Sequence, residues 1–577
     1  MTSREQDSQP ESVRNGSSTI ERFAIETPDF HYSLTALPAS TDSHKPVTVP
    51  PASPYRHDSE RMKDENTTSY PGLVAVTILM AGVSLAALLV ALDRTIVATA
   101  IPRITDEFDS PGDVGWYGSA YLLTSCAFQP TFGRVFANFD VKWSFLLALG
   151  LFELGSLICG AAPTSSALII GRAIAGLGCA GKFAGCLIII TLSVPLARRP
   201  MYMGLVGSIF GIDSVCGPII GGAFTSSSGG WRWCFYFNLP VGALTFISLI
   251  FFFKPPKRDT HPGTFLERVF DLDLIGNLLL VTAVMMLLLA LQFGGSTYPW
   301  RSAEVIGLLV GAGAEMIIFL AWQNYRGANT LIPFQVIGER TVAAGFGAGF
   351  LSATVLIHVY YLPYWFQVVR GTSPTQSGVD TIPYFVSNFA FSMAAGFIVT
   401  KVGFFNPPAL LGPVLASIGS GLITTFELDM HAAKWAGYEV LAAAGIGTVI
   451  QQGVVAVQAV LPPKLIPIGT ALIMFSQSLS RAIFVSVGNT LLQNQLLGGL
   501  EEARLPGVDI GKVLESGVTN VRHLVPDNQL MPLLRIYNDS LRKVFIMAIP
   551  LAAMGLICAI PMEWRSLKGK LNAGDNP

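Results

Sequence analysis

The sequence predicts an all-α, polytopic membrane protein, and three observations carry that reading. Fourteen separate apolar stretches fill the chain between Gly72 and Pro561, most of them about as long as the 20 residues a helix needs to cross hydrocarbon. Only 13% of the 577 residues are charged while 51% are hydrophobic, and a soluble domain carries nearer about 25% charge. Mean hydropathy is +0.51. In lipid only closed hydrogen-bonding systems span, so each stretch is expected to be a helix.

The first 70 residues are polar and rich in Ser, Thr and Pro. They hold no apolar run with which to build a core, and such a composition predicts disorder. They also lack the cationic start and apolar centre of a signal peptide, so the first span serves as the targeting signal. The spans fall at 72–98, 113–135, 143–162, 167–194, 201–225, 233–253, 273–293, 304–323, 342–366, 377–400, 408–426, 435–460, 466–492 and 541–561. The longest connection, 493–540, is polar and is expected to carry one short helix near Met531–Arg542.

Lys and Arg collect on cytoplasmic connections. With the N-terminus inside, twelve basic residues from Arg134 to Lys464 fall on short inner connections. Five fall on outer ones: Arg103, Arg232, Arg301, Arg370 and Lys434. Both termini are therefore expected in the cytoplasm. Loop 493–540 is then outside, which makes Asn538-Asp539-Ser540 a glycosylation candidate, while the sequons at Asn15 and Asn66 are cytoplasmic and silent.

Composition also excludes functions. A net charge of −1 lacks the concentrated basic face that nucleic acid demands. The seven cysteines lie in or beside apolar segments, with no CxxC pair and no Cys/His spacing that suits a metal. No phosphate loop, nucleophile elbow or HExxH pattern appears. No cofactor, metal or enzymatic activity is expected, and the expected partners are a small-molecule substrate, protons and the bilayer.

Charged residues inside apolar helices are costly and mark function or mutual compensation. The first span ends Leu92-Asp93-Arg94-Thr95-Ile96-Val97, with an adjacent acid and base. Trp116-Tyr117-Gly118-Ser119-Ala120-Tyr121 follows, then Gly133-Arg134 and Lys142-Trp143 in an inner connection. The fourth span carries Arg172-Ala173-Ile174-Ala175-Gly176, the fifth ends Gly217-Pro218-Ile219-Ile220-Gly221-Gly222, and Trp231-Arg232-Trp233 opens the sixth, which includes Asn238.

In this order the blocks resemble the major facilitator superfamily, specifically its fungal fourteen-span drug:proton antiporters of the toxin and multidrug efflux type. Tyr360-Tyr361-Leu362-Pro363, Ser377-Gly378-Val379 and Gln477 with Phe484-Val485-Ser486 extend the likeness, which covers about 71–562. The resemblance implies two six-helix bundles, 71–253 and 341–562, that rock about a central cavity. The linker 254–340 would hold two extra spans, and 563–577 would be a cytoplasmic tail. It also implies export of amphipathic molecules, including secondary metabolites, in exchange for protons at the plasma membrane; a vacuolar or endosomal membrane is the alternative.

Gly217 and Pro218 with Gly221 and Gly222 let a helix bend and pack closely, as a hinging contact or a tight crossing. Gly133 and Arg134 resemble the superfamily's gating loop, although Ala137 and Asn138 replace its usual charges. Arg172 needs a cavity or a carboxylate, with Asp93 or Glu153 as partner, and the resemblance links this arginine to proton coupling. Lys182 and Asp213 depart from the family pattern. They lie at nearly equal depth, roughly 18 Å from the cytoplasmic end, which suggests a salt bridge or a shared polar wall.

Arg481 stands mid-helix, where it would either attract an acidic cargo or pair with Glu439. His358, Tyr361 and Trp365 form an aromatic group suited to flat ligands or to interfacial anchoring. Gln451 and Gln477 would line a cavity or join helices. Asp93, Glu153 and Asp213 are the candidate proton carriers. Two other readings stay open: a carrier for siderophore-iron or vacuolar basic amino acids, and a nutrient sensor that moves nothing.

Overall fold

The computed structural model describes residues 71–568, apart from 111–112, 228–229, 256–264, 296–297, 328–329, 507, 516–521 and 523–524. The leader 1–70 and the end of the tail lie outside the described residues. So does the side chain of Asp213, and with it the expected pairing to Lys182.

Among the described residues the chain is helical, and its only β feature is an isolated bridge between Gly294 and Tyr298. We number the helices of eight residues or more. The first group is α1 (Leu73–Phe108), α2 (Val114–Ala127), α3 (Gln129–Asn138), α4 (Val141–Gly160), α5 (Ser165–Ser193), α6 (Arg199–Ser226) and α7 (Asn238–Phe252). Between the groups come α8 (Leu274–Phe293) and α9 (Ala303–Arg326). The second group begins with α10 (Arg340–Ala348), α11 (Ser352–Val368), α12 (Ile382–Val402), α13 (Asn406–Ile423) and α14 (Ala432–Val449). It ends with α15 (Gln452–Val460), α16 (Ile466–Ala503), α17 (Asp527–Ile546) and α18 (Ala548–Ala559).

Several boundaries are written in capping residues. The side chains of Asp140, Thr164 and Ser302 accept from the backbone N–H groups of Trp143, Ala167 and Val305, starting α4, α5 and α9. Gly403 closes α12 at φ 88°, the left-handed conformation that glycine adopts at no steric cost. Asp273 caps α8 and is fully buried. Its carboxylate also accepts from Trp322 Nε1 at 2.8 Å and the Leu331 N–H at 2.8 Å, which fastens α8 to the end of α9.

Eleven segments are long and apolar enough to cross a bilayer. The stretches 113–135, 201–225 and 408–426 are helical but are not among the eleven. The first is broken at Phe128 into α2 and α3, and the third, α13, spans 18 residues with Pro413 inside. The supported description is thus an all-helical, multi-pass protein with at least these eleven candidate spans.

The 493–540 connection carries the helix expected near Met531–Arg542 and is more helical than expected on both sides. α16 continues to Ala503, and α17 occupies Asp527–Ile546. The cause is amphipathic spacing: Leu492, Leu496 and Leu500 repeat every four residues and are buried, as are Leu533, Tyr537 and Leu541. A polar composition concealed these stripes.

In the first group α4 packs on α5, α1 on α6 and α7, and α2 on α5. In the second, α13 and α12 pack on α14, and α11 and α17 on α16. α8 and α9 pair with each other, and α9 turns Ile306, Val310, Ile317 and Ile318 outward, as a lipid-facing helix does.

The two groups pack on each other through α6 with α12 and α3 with α16, and they share one apolar core at one end. There a single apolar core runs from Val83, Phe136 and Ile190 of the first group to Val457, Ile468 and Ile473 of the second. At the other end the core divides. Ile96, Tyr117 and Phe235 belong to one cluster, and Tyr361, Trp365 and Phe545 to another. The end bearing Gly133, here called the closed end, therefore has one continuous core, whereas at the opposite end, here called the open end, each group has its own.

Candidate functional site

Asp93 of α1 and Arg172 of α5 form an ion pair, Nη1 to Oδ2 at 2.5 Å, with 2% and 1% of the side chains exposed. Of the two carboxylates expected as partners for Arg172, Asp93 is the one it meets; the adjacent Arg94 points about 100° away on the same helix. Arg172 Nε donates to the Tyr117 carbonyl at 2.8 Å, and its guanidinium lies 4.3 Å from the Tyr121 ring centroid. The second carboxylate oxygen of Asp93 accepts from Asn238 Nδ2 at 3.4 Å, and Asn238 also donates to Ser156 at 3.0 Å. Five helices (α1, α2, α4, α5 and α7) thus converge on one buried charge pair, with α2 contributing Tyr117 and Tyr121. Burying a charge pair is tolerable only when its donors and acceptors are engaged, and here Arg172 Nε and Nη1 and both Asp93 oxygens have partners.

One turn from Ser156, Glu153 presents both carboxylate oxygens to the interior without a hydrogen-bond partner, against Gly242 of α7. Gly242 leaves the carboxylate the space that a side chain would take. Lys182 is fully buried, its Nζ lies 3.1 Å from the Phe152 ring centroid, and it has no hydrogen-bond partner among the described residues. The charge of Glu153 is within electrostatic reach of it. Asp93, Arg172, Glu153 and Lys182 therefore occupy one bundle interior.

The closed end is built from small residues. A Cβ on Gly133 of α3 would lie 2.7 Å from Ala471 and 3.3 Å from the Ile468 backbone of α16. On the other side, Gly204 of α6 faces the Ser392 carbonyl of α12, and Gly396 faces the Pro200 carbonyl. Ser392 Oγ donates to the Gly204 carbonyl at 3.2 Å. Gln451 abuts Gly207 at this same seam. Arg134 donates to the Thr330 carbonyl, tying α3 to the segment after α9. Sequence reasoning missed Gly204, Ser392 and Gly396. The signal was present, since Ser392 and Gly396 form a small-xxx-small pair of the kind that lets helices approach.

The predicted hinge block lies elsewhere. Gly221 packs on Ile96 and Thr99 of α1 inside the first group, Gly217 is buried, and a side chain at Gly222 would meet nothing within 4 Å. The Pro218 side chain lies outside the described residues. α6 runs through the block from Arg199 to Ser226 without a break.

The aromatic candidates sit inside the second group. His358 is fully buried between Tyr384, 5.6 Å away, and Phe545, 6.3 Å away. Tyr361 is also fully buried, against Gly488. Trp365 donates from Nε1 to Asn538 Oδ1 at 2.8 Å, and Asn538 Nδ2 donates to the Phe426 carbonyl at 3.1 Å. Asn538 is 4% exposed with its amide fully engaged, which corrects the glycosylation expectation: the side chain is a packing element with no room for a glycan. Gln477 lines a small cavity of about 20 Å3 between α10, α13, α16 and α18 and donates to the Ile450 carbonyl at 3.0 Å. Arg481 does not meet Glu439. Its Nε donates to the Gln477 carbonyl of its own helix at 3.2 Å. Glu439 is fully buried, with neither carboxylate oxygen hydrogen-bonded.

At the open end, Trp231 Nε1 donates to Glu107 at 2.6 Å, and Arg232 pairs with the same carboxylate at 2.7 Å. The indole hydrogen bond, followed by the guanidinium, holds the Glu107 carboxyl below its usual range.

Two groups of long apolar helices, with a charge pair buried inside one of them, define a multi-pass membrane protein of the transporter type. The chain matches the Major Facilitator Superfamily over residues 83–485 and belongs to it, grouping with fungal efflux-type members. It is 45% identical over 510 residues to an MFS-type efflux pump of Arthroderma benhamiae, covering 88% of this chain and 95% of that one. It is 42% identical over 537 residues to the MFS-type transporter astH of Aspergillus oryzae, covering 93% and 95%. The efflux pump aflT of Aspergillus parasiticus is 43% identical over 493 residues, covering 85% and 96%. Among solved structures, a double-tryptophan variant of the transporter XylE is similar in fold at a TM-score of 0.57 and 14% identity, covering 86% of this chain and 98% of that one.

Proposed function

We propose that the chain is a proton-coupled antiporter that exports amphipathic small molecules, of the secondary-metabolite or toxin type, by alternating access. The observation that carries this reading is the buried Asp93–Arg172 pair inside one bundle of a molecule closed at one end. A charge pair kept at that desolvation cost fits a site whose protonation biases the two states. The curated relatives named as efflux pumps support the direction of transport.

In this reading the chain crosses the plasma membrane fourteen times with both termini in the cytoplasm. Residues 71–253 and 341–562 are the rocking bundles, and 254–340 carries the two extra spans. The seam of Gly133, Gly204 and Gly396 is the cytoplasmic gate, so the cavity opens outward. A proton from outside neutralises Asp93 or Glu153, with Asp213 as a further candidate. Arg172 loses its partner, and the gate seam gains freedom to part. Cargo then enters from the cytoplasm, and proton release inward resets the pair. The substrate supplies only its differential affinity for the two states.

The test is uptake of the cationic dye rhodamine 6G and of neutral and acidic analogues into inside-out vesicles with an acidic lumen. The reading expects accumulation that collapses when the pH gradient is discharged. Accumulation of none of the probes, or accumulation indifferent to the gradient, refutes it.

A further inference from the structure

The strip of chain from Thr330 to Ile337, between α9 and α10, is fastened at almost every residue. Its anchor is Asp273, fully buried at the start of α8. The carboxylate accepts from four neutral donors: the Gly276 N–H at 3.1 Å, Trp322 Nε1 at 2.8 Å, Gln323 Nε2 at 3.4 Å and the Leu331 N–H at 2.8 Å. Asp273 itself adopts φ 52°, a left-handed conformation that persists only where the surroundings fix it. On either side of Leu331, the Thr330 carbonyl accepts from Arg134, and the Ile332 N–H donates to Gln323 Oε1 at 3.2 Å. Only Pro333 separates these three residues from a short helix, Phe334–Ile337, that packs on α16 and α10.

α8 is fixed to the first group at both of its ends. Phe293 meets Trp116 of α2 at 5.9 Å between ring centroids. Asn277 Oδ1 accepts from Thr131 at 2.5 Å, and the Asp271 carbonyl accepts from Asn138 at 3.3 Å, both from α3. Gly133, the neighbour of Arg134, is the α3 residue that meets Ala471 and Ile468 of α16. Leu331 and Val336 of the strip share one core with that same Ile468 and with Ile473. The start of α16 is therefore held twice, directly by α3 and through a strip that α3 grips by Arg134. For α3 to leave α16, Arg134 must release Thr330 or the short helix must leave α16. Pro333 alone cannot take up the separation, since one residue of fixed φ adds at most roughly 3.6 Å of reach.

We propose that the strip straps the closed seam shut, with Asp273 as the positioning residue that presents the Thr330 carbonyl to Arg134. The strap rests on the alternating-access reading and adds to it a hydrogen bond that must break before the bundles part.

The test is double electron–electron resonance on the full-length protein in nanodiscs, with spin labels at 142 and 464 across the seam. Wild type is expected to show chiefly one short distance. Arg134→Gln and Asp273→Asn should each raise the ratio of long to short distances about tenfold, as loss of one hydrogen bond from a charged donor does. Arg134→Lys keeps a charged donor and should restore most of the short population; a Lys variant as open as the Gln variant counts against the strap. The double variant should open no further than either single one, because both remove the same contact, whereas general damage to the fold would add. Additive opening refutes Asp273 as the positioning residue. Should Asp273→Asn not remain monodisperse, Gln323→Leu takes its place, removing the Ile332 acceptor and one donor to Asp273. Gly396→Val is the opening control. A seam that parts in Gly396→Val but stays shut in the strap variants refutes the strap alone, and one that stays shut in all of them refutes rocking at this seam and the strap with it.

Discussion

Asp93→Asn removes one charge from a pair whose side chains are 2% and 1% exposed and 2.5 Å apart. The amide keeps the shape and one acceptor. Arg172 keeps its bond to the Tyr117 carbonyl and its place over Tyr121, but its charge stays buried without a counter-ion. Breaking a buried pair by removing one partner costs about 3–5 kcal/mol, and the retained contacts put Asp93→Asn near about 3, a factor of roughly a hundred in the folding constant. Arg172→Gln leaves the opposite orphan and a similar loss. The double variant leaves no uncompensated charge, so the coupling across the cycle should be at least about 2 kcal/mol. Denaturant unfolding in detergent, followed by tryptophan fluorescence, measures all four proteins. Losses that add to within about 0.5 kcal/mol would show that the pair is not a unit, and the mechanism built on it would fall.

Three further outcomes follow from the same geometry. Lys182→Met removes a buried ammonium that rests on the Phe152 ring within electrostatic reach of Glu153, so it should slow gradient-driven export; export at the wild-type rate would contradict a role for this charge. Gly396→Val drives a side chain into the Pro200 carbonyl, and overpacking of about 1–3 kcal/mol should part the closed seam, lengthening the distance between spin labels at 142 and 464; an unchanged distance distribution counts against the gate. Glu107 has its carboxyl lowered by Trp231 and Arg232, so its stabilisation is present above the ordinary value of 4.5 and is lost as pH falls through the lower folded value. Glu107→Gln should flatten that acid limb of the stability profile, and an identical limb in both proteins refutes the assignment.

The fold was legible because lipid imposes it: apolar runs of helix length show in composition without knowledge of partners. What the sequence hid was geometry across helices. Arg172 was marked as needing a carboxylate and Asp93 named as one of two choices, yet Asn238 and Ser156, which complete the site, look like ordinary polar residues in a span. The C-terminal end of α16 reads as a loop because its buried stripe of Leu492, Leu496 and Leu500 is diluted by polar neighbours, whereas the helix expected near Met531–Arg542 is present within α17. His358 and Trp365 suggested a ligand cage, but a packed bundle interior uses the same aromatics. Gly133 stands out in the sequence, but Gly204 and Gly396 do not, because a contact between distant helices leaves only small-residue spacing in each segment.

The central claim is that ionisable groups buried in the first bundle couple proton entry to cargo exit. The most direct measurement is the internal pH of sealed liposomes holding the purified protein and a pH dye, with an imposed gradient and cargo added on the side of the closed seam. The account predicts cargo-dependent collapse of the gradient in wild type and its loss in Asp93→Asn, with cargo exchange at equal pH retained. A gradient that never responds to cargo, or that collapses equally without Asp93, contradicts it.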